Sequence, residues 1–101
     1  MKTFIGTVRA GLYFRGAQSL KDRRSHLKSL ETRLRNMGFA TAQIGPADFV
    51  KRAWIAAVCV SGNERIIGEQ VDKAIRMMHN PEWETPALES DILELEAMEE
   101  I

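Results

Sequence analysis

Two segments of helical periodicity, each lying between stretches of strand character, constrain this 101-residue chain more than any other feature. From Leu20 to about Asn36, Leu20, Leu27, Leu30, Leu34 and Met37 recur on one stripe of a helix. Ser19 stands where an N-cap is wanted, Asp22 favours the first-turn dipole, and Gly38 follows as a left-handed C-terminal cap. The second helix is predicted to open at a capping box, Ser61 to Glu64. It buries Ile66, Ile67, Val71, Ala74, Ile75 and Met78 and stops at Asn80-Pro81.

The flanking segments read as strands. Thr3 to Phe14 places Phe4, Val8, Ala10, Leu12 and Phe14 on one alternating face. Phe39 to Ile44 is a shorter strand ending at Gly45-Pro46, and Ala53 to Val60 is an almost continuous apolar run expected to be central in a sheet. After a polar loop carrying Trp83 and Pro86, Ile92 to Met98 is the expected last strand, with Glu94 and Glu96 outward. The order β-α-β-β-α-β predicts a single α+β domain over residues 1–101, ferredoxin-like, with a four-stranded antiparallel sheet and both helices on one face. The other sheet face is left uncovered. A homodimer through that open face or through an edge strand is therefore expected.

The formal net charge is zero, yet residues 1–52 hold eleven Lys/Arg against three Asp/Glu and residues 53–101 hold three against eleven. Either the two halves neutralise each other within the fold, or a basic surface is displayed to an anionic partner. On the first helix Lys21, Arg24, Lys28 and Arg35 fall in one narrow sector, interrupted by Glu31. Such a row can follow phosphates, as in RNA. The alternative is a solvated face with local pairs such as Glu31 to Arg35, or a docking face for an acidic strand. Arg23 falls among the leucines. With Arg15 and the amides near Ser19 it would form an anion site at the helix start, or else it pairs with the acidic C-terminal strand.

The run Arg15-Gly16-Ala17-Gln18-Ser19-Leu20-Lys21-Asp22-Arg23-Arg24, with Leu27, Leu30 and Arg33-Leu34-Arg35-Asn36, resembles the "GA-x-SLKEKR" signature of the YlxP-like family of small bacterial proteins, domain of unknown function 503. The resemblance continues through Ala42-Gln43-Ile44-Gly45, Asp48, Lys51-Arg52-Ala53 and the strand from Ala57 to Val60. Gln43, Val50 and Lys51 stand where that family is associated with Glu, Trp and Gln. The resemblance implies a ferredoxin-like fold and, from gene neighbours such as ribosome-binding factor A, a link to RNA or ribosomes.

No catalytic constellation is read from the residues, so the expectation is a protein that is not an enzyme, without cofactor or metal. Acylphosphatase is the enzyme alternative. Arg15, in the loop after the first strand, echoes its phosphate-gripping arginine, but the second strand offers Gln43 in place of an asparagine. His26 and His79 lack ligand-like neighbours, and Cys59, the sole cysteine, lies in the most apolar strand and is expected to be inert core. Base stacking on the sheet would need aromatics on the first and third strands, and Lys51 to Val60 supplies only Trp54, expected in the core or an interface. MKTFIGTVRA has no signal-peptide run and no segment reaches the length of a membrane span, so a cytoplasmic protein making no membrane contact is expected. RNA or ribosome binding through the first helix and a protein-interaction or self-assembling role without nucleic acid are the two functional expectations.

Overall fold

The computed structural model describes residues 1–100. The chain runs β1 (Thr3–Tyr13), α1 (Leu20–Asn36), β2 (Ala40–Ile44), β3 (Arg52–Ser61), α2 (Glu64–Met78) and β4 (Glu84–Leu95). The four strands form one antiparallel sheet in the order β2-β3-β1-β4. This is the predicted ferredoxin-like α+β arrangement. α1 lies over β2 and β3, and α2 over β1, β3 and β4.

Alternation decides what each strand buries. Phe4, Val8, Ala10 and Leu12 of β1 meet Ala53, Ile55, Ala57 and Cys59 of β3 on the helix side, where Leu27, Leu30 and Leu34 of α1 and Ile67, Val71, Ala74 and Met78 of α2 close the core. Gly6 lies directly beneath α2, where a Cβ would stand 2.6 Å from Val71 Cγ2. Gly38 takes φ +93° just past α1, the left-handed stop expected of it.

Four local expectations change. Ile66, expected in the buried stripe of α2, is 41% exposed, because the first turn of the helix overhangs the sheet and only Ile67 reaches the core. The N-cap of α2 is Asn63, whose side chain accepts from Ile66 N, while Ser61 Oγ instead accepts from Asn63 N. β4 begins eight residues before the expected Ile92 and ends at Leu95. It is an edge strand exposed along most of its length, and its pairing with β1 supplies the order that its side chains do not signal. Trp83 is core, 6% exposed, with Phe14 against its ring and its indole N–H donated to Met78 O at 2.9 Å.

Candidate nucleic-acid interface

The basic row of α1 is built by a helix that buries only its leucine stripe. Lys21, Arg24, Lys28 and Arg35 are all exposed. Among the described residues none of the four forms an ion pair. From Lys21 to Arg35, fourteen helical rises, the row spans about 21 Å. Glu31, the acid in its path, is turned to the neighbouring edge strand: Gln43 Nε2 donates to Glu31 Oε1 at 2.9 Å and Thr41 Oγ1 to Glu31 Oε2 at 3.4 Å. The local pair with Arg35 does not form.

Apart from Glu82, which Arg33 of α1 meets at 3.3 Å, the acidic half of the sequence is met away from this row. Arg9 pairs with Glu89, Arg15 with Glu84 and Lys2 with Glu94, all along β4 on the far side of the sheet from α1. Glu84 raises the Arg15 pKa, chiefly through its hydrogen bond and then through its charge. The charge division is thus partly internal neutralisation, by Lys2, Arg9, Arg15 and, from α1 itself, Arg33 with Glu82 at 3.3 Å, and partly the unpaired row Lys21, Arg24, Lys28 and Arg35.

Arg15 and Arg23 are not brought together. Arg15 faces Glu84, and Arg23 is 3% exposed with Nε donating to Arg52 O at 2.8 Å and Nη2 to Pro46 O at 3.2 Å. The expected pair between Arg23 and the acidic strand is replaced by two carbonyl acceptors, because α1 lies over β2 and β3 and not over β4. At the helix start Ser19 Oγ accepts from Asp22 N and Asp22 Oδ2 from Gln18 N, so neither Arg15 nor Arg23 is aimed at those amides. Arg23 is a clamp that fixes the start of β3 and the loop before it.

The uncovered sheet face is ordered in rows across the strands. Val60, Ile5 and Leu93 form an aliphatic row at one end, while Ile44, Trp54, Gly11 and Ala87 form one toward the other, followed by Arg52, Tyr13 and Glu84. The indole of Trp54 bridges two glycines, since a Cβ on Gly11 would lie 3.3 Å from its Nε1 and one on Gly45 (φ +72°) 3.3 Å from its Cδ2. Phe49 packs edge-on against it at 5.8 Å. Trp54 therefore lies on the open face, not in the core. Tyr13 on β1 supplies a second aromatic that sequence reasoning missed, for the antiparallel register with β3 is what sets it diagonal to Trp54.

Cys59 is 4% exposed, and burial pushes its thiol pKa up. His26 stacks on Phe14 with ring centroids 5.0 Å apart, a boundary histidine, and His79 follows the end of α2. Among the described residues no helix is long and apolar enough to cross a membrane.

The model of the family described as "Protein of unknown function (DUF503)" matches residues 5–90. No curated protein matches the sequence. Among solved structures the chain is similar to LarC2, the C-terminal domain of a cyclometallase involved in the synthesis of the NPN cofactor of lactate racemase, in its apo form, with TM-score 0.49 and 14% identity. That likeness covers 98% of this chain and 60% of the other, so this chain spans less than two thirds of it.

Proposed function

The chain belongs to the DUF503 family, and we propose that it acts by binding RNA or a ribosomal particle through α1, not by catalysis. The observation that carries this reading is the row Lys21, Arg24, Lys28 and Arg35, exposed and paired with no carboxylate among the described residues, while the one acid in its path is held by β2. Four cations following four phosphates predict that log affinity falls with log salt at a slope of about −3. Arg15 is committed to Glu84, which speaks against an acylphosphatase-like phosphate grip.

The test is a structured RNA titrated at increasing salt against wild type and a folded Lys21→Glu, Arg24→Glu, Lys28→Glu variant. Salt-sensitive binding that the variant loses supports the proposal. Absence of wild-type binding at low salt refutes it.

Self-association is a second reading, favoured by the aliphatic end of the open face, where Val58, Val60, Leu93 and Leu95 are 40%, 66%, 47% and 47% exposed. Sedimentation of wild type beside Val60→Glu distinguishes a dimer from a monomer with an unused face.

A further inference from the structure

Rows of side chains give the open face two unlike ends, and the end away from Val60 has the chemistry of a ring-binding site. A depression of about 400 Å³ is lined there by Tyr13, Trp54, Arg52, Pro86 and Glu84 over a floor that includes Gly11. Two aromatic rings on the two central strands, with a guanidinium beside them, suit a flat, hydrogen-bonding heterocycle attached to phosphate. Arg52 is exposed and pairs with no carboxylate among the described residues. Glu84 is already committed to Arg15, so its charge is met before any ligand arrives.

The same end of the sheet adjoins the basic helix. Arg23 joins the second turn of α1 to Arg52 O and Pro46 O, and Lys51 Nζ donates to Arg15 O at 3.1 Å. Lys51 and Arg52, at the start of β3, are thus exposed cations at the end of the sheet to which Arg23 ties α1, and Arg52 lines the depression itself.

We infer that the depression between Tyr13 and Trp54 receives an unpaired nucleobase, so that the ligand of this protein is single-stranded RNA. The inference rests on the α1 reading and narrows it, because a duplex keeps its bases inside and offers nothing to stack. Trp54 supplies a face held in place by Gly11 and Gly45, and Arg52 supplies the adjoining charge.

The test uses a short single-stranded RNA and an abasic oligonucleotide of the same length and charge, with binding followed by anisotropy and by tryptophan fluorescence. Stacking predicts quenching by the base-bearing strand alone, and affinity about fivefold or more weaker for the abasic strand and for Trp54→Leu, with the salt slope unchanged. Tyr13→Leu gives a second, smaller loss, and the abasic comparison needs no variant at all. Equal binding of both strands without quenching overturns the base site and leaves the α1 reading standing. Failure of both strands to bind at low salt overturns the base site, and failure of the structured RNA as well overturns the α1 reading with it.

Discussion

Gly6 and Gly68 offer the same chemical change, glycine to alanine, with opposite expected signs. At Gly6 the added Cβ would stand 2.6 Å from Val71 Cγ2, 3.0 Å from Cys59 Sγ and 3.2 Å from Ile67 Cγ1, against an ordinary carbon–carbon separation of about 3.5–4.0 Å. Val71 must recede by about 1 Å, yet it is 4% exposed and its β-branched side chain has one favoured helical rotamer, so α2 itself has to move. Overpacking of this size costs about 1–3 kcal/mol, of which the stiffer unfolded chain returns about 0.4–1 kcal/mol. Gly68, inside α2, has nothing within 4 Å of its Cβ position, and alanine there gains about 0.8–1 kcal/mol of helix propensity. The middle of that balance is a net loss of about 1.3 kcal/mol, so at about 4–8 °C per kcal/mol for a domain near this size Gly6→Ala melts lower by roughly 5–10 °C and Gly68→Ala higher by roughly 3–8 °C. Thermal unfolding by circular dichroism reads both. In the double variant Gly6→Ala, Val71→Ala the losses fall short of additive, since the closest clash is gone. A Gly6→Ala protein as stable as wild type, or strictly additive losses, refutes the account of how β1 and α2 meet.

Three further outcomes are expected. Arg23→Lys leaves Pro46 O or Arg52 O without its donor and loses about 1–3 kcal/mol in urea unfolding, whereas unchanged stability would mean that Arg23 is no clamp. Asn63→Ala loses about 1 kcal/mol in the same measurement, more than Ser61→Ala; the reverse ranking would return the cap to Ser61. The Cys59 thiol resists a thiol-specific disulfide reagent at about pH 8 until the chain is unfolded, and labelling of the native protein would contradict its burial. Because burial raises that pKa in the folded state, the unfolded chain loses its proton first, so this group's contribution to stability is full below about pH 8.5 and lost above it.

The helices and the inner strands were legible because burial writes a period into them: the leucines of α1, the even positions of β1 and the apolar run of β3 each have a face to hide. β4 wrote no such period. From Glu84 to Leu95 it lies at the sheet edge, and only Thr85 and Leu88 are half-buried, so its true length shows only in its pairing with β1. Of the candidate site, the exposure of Lys21, Arg24, Lys28 and Arg35 follows from helical angle alone. The partners of Arg15 and Arg23 depend on which strands α1 overlies, and the meeting of Tyr13 with Trp54 on strand register; neither is a property of a local window.

The hold of Thr41 and Gln43 on Glu31 makes the display of positive charge conditional on tertiary structure. A synthetic peptide of residues 20–36 would release that carboxylate to Arg35, one turn away, and present a weaker cation row than the intact domain. Peeling β2 from the sheet edge would do the same within the full chain. The stretch from Ala40 to Ile44, five residues with no charge of its own, thus governs how much of the helix's charge an approaching polyanion meets.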